Sequence, residues 1–163
     1  KKDLDKTDAL IIPGGESTTL SMLIDRANIR QSLVEYSKNK SIFGTCAGMI
    51  MLSSTKRQDM KGCVDTLGVM DVTVSRNSWG TQIDSFEKNI DLEEFNIKSF
   101  NAIFIRAPKV TKVGGNIEKV EYLNDEIVLI DDGQHLACCF HPELDRDTRV
   151  HEYFLEKFYY ERK

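Results

Sequence analysis

Three short stretches of this chain carry residue types and spacings fit for acyl transfer. The first is Phe43-Gly-Thr-Cys46-Ala47-Gly48. One apolar segment enters it and another leaves it, the pattern of a strand, a sharp turn and a helix with cysteine at the tip. The flanking glycines permit a tight turn and close backbone approach. A thiol at a helix N-terminus meets the positive end of the helix dipole, which favours the nucleophilic thiolate. The second stretch is Phe140-His141-Pro142-Glu143. A strand ending here delivers an imidazole to take the thiol proton. The carboxylate two positions on can orient the ring and stabilise its cation. The third is Pro13-Gly14-Gly15-Glu16-Ser17, between a strand and a helix. Its backbone N–H groups can form a nest for the oxyanion of a tetrahedral intermediate.

Each stretch by itself has a plainer reading: a Gly-rich turn around an inert buried cysteine, a surface histidine beside an acid, a loop with a helix cap. A phosphate loop is a further reading of the third stretch, weakened by the lack of a Gly-Lys-Ser/Thr ending or Gly-x-Gly-x-x-Gly spacing. The conjunction favours chemistry, because ligands of open α/β sheets bind beyond the carboxyl ends of the strands.

The elements that must position these residues follow from the apolar pattern. Asp8 to Ile12 is a short apolar run stopped by Pro13-Gly14-Gly15, a buried strand and a tight loop. Ser17 or Thr18 caps a helix whose stripe (Leu20, Leu23, Ile24, Ala27, Leu33, Val34) runs through about Ser37. Ser41 to Gly44 is a second strand, and Ala47 to Ser53 a buried helix. Thr66 to Ser75 is β-rich, and Arg76 to Phe86 is a polar loop. Asn101 to Arg106 is a strand stopped by Ala107-Pro108. Ile117 to Tyr122 and Glu126 to Ile130 are strands, and Asp132-Gly133 turns a hairpin into Leu136 to Phe140. Asp147 to Tyr160 is a terminal helix with Val150, Tyr153, Phe154 and Phe158 on one face. Early strand–helix alternation with later hairpins predicts an α/β fold: a mixed, mostly parallel sheet flanked by helices.

The 163 residues suit one domain spanning 1–163, and 40% hydrophobic with 29% charged residues is an ordinary globular composition. No apolar run reaches the roughly 20 residues that span a bilayer. The polar start, Lys1 to Asp8, has no signal-peptide core. A formal charge of −4 argues against a nucleic-acid partner. Cys46, Cys63, Cys138 and Cys139 form no C-x-x-C pair. Cys138 and Cys139 point to opposite faces of a strand, which suits small buried hydrophobes and not a disulfide. A reducing, cytoplasmic setting is the simplest expectation.

These motifs make the chain resemble the class I (triad-type) glutamine amidotransferases, and among them the glutaminase subunits of pyridoxal 5′-phosphate synthase. The resemblance runs from about Asp8 to the terminal helix. It rests on Ile12-Pro-Gly-Gly-Glu-Ser-Thr18, Gly44-Thr-Cys-Ala-Gly48, Arg76-Asn-Ser-Trp-Gly80, Asp84-Ser-Phe86, Phe104-Ile-Arg-Ala-Pro108 and Phe140-His-Pro-Glu-Leu144. The Gly-Gly-Glu-Ser-Thr, Arg-Asn-Ser and Ile-Arg-Ala-Pro pieces belong to the vitamin B6 branch. The resemblance implies a three-layer, flavodoxin-like fold. It implies Cys46 as nucleophile, with His141 and Glu143 completing a triad. Gly15, Glu16, Ser17, Arg76, Ile105 and Arg106 would hold L-glutamine, and the N–H groups of Gly15 and Ala47 would form the oxyanion hole. A guanidinium suits the substrate α-carboxylate, which it can hold bidentately. No metal or organic cofactor is implied. The implied partner is a (β/α)₈-barrel synthase, which receives the ammonia and without which the glutaminase is nearly idle.

Two departures qualify the resemblance. Family members carry a strand and a Leu-Gln-Gly loop some tens of residues before the Gly-Gly-Glu-Ser motif, whereas this chain starts about a dozen residues before it. The N-terminal strand–helix unit is thus expected to be missing, leaving a strand edge unpaired and core surface exposed. Thr81 stands where an arginine often precedes the glutamine, here Gln82, and Trp79 replaces a more usual smaller aromatic. Two other readings accompany the main one: an inactive paralogue that binds or regulates a synthase, and an amidotransferase subunit serving a different synthase.

Overall fold

The computed structural model describes residues 3–56, 58, 64–76 and 85–160, the last two of these for the backbone only. Cys63 and residues 77–84, which include Trp79, Thr81 and Gln82, lie outside the described residues. The central sheet has five strands: β1 (Ala9–Ile12), β2 (Ser41–Thr45), β7 (Lys119–Leu123), β8 (Glu126–Asp131) and β9 (Leu136–Cys138). Their order is β1-β2-β9-β8-β7. β1, β2 and β9 pair in parallel, while β8 runs antiparallel to both of its neighbours. Every strand except β8 therefore points the same way, the mixed and mostly parallel sheet expected from the sequence.

Two antiparallel ribbons flank this sheet. β3 (Val72–Ser75) pairs with β6 (Lys109–Val113), and β4 (Ser85–Leu92) with β5 (Ile97–Ile105). Neither β4 nor β6 is legible in the sequence, because charged residues interrupt both and only part of each strand is buried. Among the described residues β1 is an edge strand of the central sheet, and Ile11 on it is 44% exposed.

The helices differ from expectation in instructive ways. The stripe predicted as one helix through Ser37 is two: α1 (Ser17–Arg26) and α2 (Arg30–Ser37). Asn28 takes φ 53 between them, a left-handed conformation that asparagine tolerates better than most residues. The N–H of Ile29 then donates to Ile24 O, and that of Asn28 to Asp25 O, the Schellman pairing that ends a helix. Glu16, not Ser17 or Thr18, is the N-cap: its carboxylate accepts from the N–H groups of Thr18 (3.0 Å) and Thr19 (2.7 Å). Only Val72–Ser75 of the β-rich 66–75 segment forms a strand. The N–H groups of Leu67, Gly68, Val69 and Met70 instead go to the carbonyls of Met51, Leu52 and Ser53, sealing the end of α3 (Ala47–Leu52). The terminal helix is α4 (Arg149–Leu155), continued by a π-helical turn, Glu156–Tyr160.

The core joins these layers. β2 and α3 are buried along their whole length. Phe43 meets His151 and Phe154 of α4, with ring centroids 5.7 Å and 5.5 Å away. Phe140 packs between Phe100 and Phe104 of β5, at 5.6 Å and 5.8 Å. That contact anchors the residue just before His141. Cys138 and Cys139 are free and fully buried, as their apolar setting predicts. Among the described residues no helix is long and apolar enough to cross a membrane.

Candidate active site

Because β1, β2 and β9 are parallel and in register, Ile12 beside Gly44 and Thr45 beside Cys138, the loops that follow them emerge at one end of the sheet. These loops carry the three stretches singled out from the sequence. At the tip of the β2–α3 turn Cys46 adopts φ 49, ψ −106. Such a backbone costs roughly 1–3 kcal/mol and persists only where its surroundings impose it. Here they do: the Cys46 N–H donates to Cys138 O at 2.8 Å. Both glycines of the motif are sterically required. A Cβ on Gly44 would lie 2.6 Å from the Gly48 carbonyl, and one on Gly48 only 1.9 Å from Ile12 O. Cys46 itself is 6% exposed, and its Sγ lies 3.7 Å from Ile105 O, to which the thiol donates.

His141 follows β9 and is pinned by its own N–H, which donates to Ile103 O of β5 at 2.8 Å. Its Nδ1 lies 2.8 Å from Glu143 Oε1. A nitrogen facing a carboxylate carries the proton, which leaves Nε2 for Cys46. The hydrogen bond with Cys46, helped by that with Glu143 and opposed by burial, pushes His141 up to about 9. Burial works to raise Glu143, but the hydrogen bond from His141 and a backbone N–H outweigh it and hold the carboxyl below its ordinary range. The imidazole is therefore kept as a cation beside the sulfur at neutral pH, with its counter-charge behind it. Burial drives the thiols of Cys138 and Cys139 well up.

A cavity of about 260 Å³ opens beside the cysteine. It is lined by Gly15, Glu16, Ser17, Cys46, Ala47, Arg76, Ile105, Arg106 and His141, together with Ile50, which the sequence reading did not single out. Glu143 stands behind His141 and off the lining. The structure thus brings together every residue expected at the site. Gly15 has φ 141, open to glycine and strained for other residues. Ala47 is the first residue of α3, so its N–H is one of those with no intrahelical acceptor. Arg76 ends the cavity on the β3 side. Its guanidinium reaches Glu16 Oε1 at 2.8 Å and Thr18 Oγ1 at 3.2 Å. Burial works to raise Glu16, yet hydrogen bonds from Thr18 and Thr19 hold it down to about 2. The Ser17 hydroxyl is buried and has no hydrogen-bond partner among the described residues. A buried polar atom left so calls for an explanation. A larger cavity, about 670 Å³, lies between the Leu4–Lys6 turn and α2, but no cysteine or histidine lines it.

Residues 1–160 match the SNO glutamine amidotransferase family. The chain belongs to that family. Among its curated relatives is a protein of Thermosipho africanus, 47% identical over 94% of this chain and 80% of the relative. Another, from Oenococcus oeni, is 43% identical over 94% of this chain and 78% of the relative. Both carry the name pyridoxal 5′-phosphate synthase subunit PdxT. A crystal structure of a glutamine amidotransferase superposes with TM-score 0.85 at 39% identity, covering 95% of this chain and 81% of that one. A second, from Thermotoga maritima, shares the fold alone, with TM-score 0.55 at 14% identity.

What the sequence reading missed in this amidotransferase is the supporting layer. Thr18 helps seat Arg76, Thr45 accepts from the Gly14 N–H at 3.1 Å, and Ile50 closes the cavity from α3. Thr45 sits inside the Gly-Thr-Cys motif, yet nothing local marks its hydroxyl as the acceptor for a loop that follows a different strand.

Proposed function

We propose that this amidotransferase, acting as one domain over 1–163, hydrolyses L-glutamine to glutamate and ammonia through a thioester on Cys46. The thiolate attacks the side-chain amide carbon, and the N–H groups of Gly15 and Ala47 receive the resulting oxyanion. His141 gives its proton to the departing nitrogen, the carbon–nitrogen bond breaks, and ammonia leaves. Water then attacks the thioester with His141 as base, and the carbon–sulfur bond breaks to regenerate the thiolate and release glutamate. Glu143 holds the ring and balances its charge throughout. Arg76 receives the α-carboxylate, and the buried Ser17 hydroxyl gains a partner when glutamine occupies the cavity.

The observation that carries this reading is the chain of contacts from Cys46 through His141 to Glu143 at the wall of a cavity that Arg76 also lines. The names of the relatives support a pyridoxal 5′-phosphate synthase as partner. The ammonia passes to that partner, a (β/α)₈ barrel, for vitamin B6 synthesis. The work is done in the cytoplasm, which agrees with the free thiols of Cys46, Cys138 and Cys139.

The test is ammonia release from glutamine with the synthase present. Cys46→Ala is expected to abolish it while complex formation persists. Turnover unchanged in that variant would remove Cys46 as the nucleophile.

A further inference from the structure

Gly14 is a glycine for a reason its backbone does not supply. The described glycines with positive φ are Gly15, Gly68 and Gly133, and Gly14 is not among them. The need is for space. A Cβ on Gly14 would lie 2.2 Å from Cε1 of His141, 2.8 Å from Nδ1 and 3.2 Å from Nε2. The Cε1 edge of the ring, between its two nitrogens, therefore rests against the Gly14 backbone.

That backbone is fixed in turn. The Gly14 N–H donates to Thr45 Oγ1 at 3.1 Å, and Thr45 is 1% exposed and immediately precedes Cys46. The ring has little freedom to retreat. Its side chain is 11% exposed, Glu143 holds Nδ1 at 2.8 Å, and the His141 N–H is tied to Ile103 O. The groups facing the ring are thus Cys46 from the β2–α3 turn, Glu143 from its own loop and Gly14 from the loop after β1.

We propose that Gly14 is a positioning residue: lacking a side chain, it admits the His141 ring to Cys46, and its backbone, held by Thr45, sets where the ring stops. This rests on the reading of Cys46, His141 and Glu143 as the reacting triad. A methyl group at position 14 must move the ring from 2.2 Å toward the 3.4 Å of ordinary contact, about 1 Å. A misplacement of about 1 Å can cost on the order of 10²-fold in rate.

The test uses Gly14→Ala with two readouts. In the complex with the synthase, kcat is expected to fall on the order of 10²-fold, with the glutamine KM within about twofold of wild type. In the subunit, His141 is held up to about 9 chiefly by its hydrogen bond with Cys46, and in Gly14→Ala its Cε1–H resonance is expected to titrate below the wild-type midpoint, toward the ordinary 6.5. Gly115→Ala, where an added Cβ meets nothing within 4 Å, is the control and should change neither. If circular dichroism shows Gly14→Ala unfolded, the Thr45 pair decides. Thr45→Val removes the acceptor and should shift both readouts in the same direction, while Thr45→Ser restores it and should not. A folded Gly14→Ala with wild-type kcat and titration overturns the proposal, as does a Thr45→Val indistinguishable from Thr45→Ser. The triad reading fails separately, through a Cys46→Ala that still releases ammonia.

Discussion

The N–H of Cys46 donates to the carbonyl of Cys138 at 2.8 Å, so the turn that carries the sulfur is bonded directly to the strand that delivers His141. Nucleophile and base are therefore placed by one pair of parallel strands. A shift of β9 relative to β2 would carry His141 away from Cys46 and break this bond too.

The charge on His141 has two supports, and removing each should have a different effect. The hydrogen bond with Cys46 contributes most to holding the ring near 9, and Glu143 comes next. Glu143→Gln should lower the titration midpoint of His141, and Cys46→Ala should lower it further, as read by the ring resonances. Glu143→Gln should also reduce kcat by ~10²-fold or more, since an amide does not balance the imidazolium. The stability linkage has a definite sign. A group raised from 6.5 to about 9 contributes stability that is complete below 6.5 and lost as pH rises through 9. Glu143→Gln should therefore cost more stability near pH 6 than at pH 10 in urea titrations.

Arg76→Lys tests substrate recognition. The guanidinium meets Glu16 and Thr18 together, a geometry that a lysine ammonium does not reproduce. The glutamine KM should rise by roughly 10-fold, with a smaller change in kcat, equivalent to losing one charge-assisted hydrogen bond of about 1.4 kcal/mol. Steady-state kinetics with the synthase present will measure both, and an unchanged KM would remove Arg76 from the glutamine site.

Gly48→Ala sets two effects against each other. In an open helix, replacing glycine by alanine gains about 1 kcal/mol. Here the new Cβ would lie 1.9 Å from Ile12 O, so α3 would have to lift off β1. Overpacking of this kind costs ~3 kcal/mol, which exceeds the helix gain. The urea midpoint should fall, and a rise would show that α3 can relax without loss.

Lys157→Met tests the far end of the sheet. Asp131 is fully buried, and its Oδ2 lies 2.6 Å from Lys157 Nζ and 2.6 Å from the Tyr153 hydroxyl. Removing the ammonium strands a buried carboxylate. Tyr153 and the Gly133 N–H remain to hydrogen-bond it, so the loss should be ~2 kcal/mol, less than for a wholly unpaired charge. Chemical denaturation will read it, and glutamine turnover should be unchanged because Lys157 lies in the terminal helical segment, away from the cavity.

What the sequence determined by itself was local. The apolar runs ending in Gly-rich turns marked β1, β2 and α3, because a buried strand and a sharp turn each leave a signature within a few residues. The His-Pro-Glu stretch could be read in the same way, and with it the family. Only the tertiary structure decided what depends on partners distant in the chain. The pairing of β4 with β5 and β3 with β6 was invisible, since strands rich in charge are stabilised by neighbours and not by their own pattern. The break at Asn28 depends on one left-handed residue inside a continuous apolar stripe. The ion pair of Glu16 with Arg76 and the contact of Gly14 with His141 join residues from separate strand ends. Residue type can propose a nucleophile, a base and an arginine, but only the parallel register of β1, β2 and β9 brings them to one cavity.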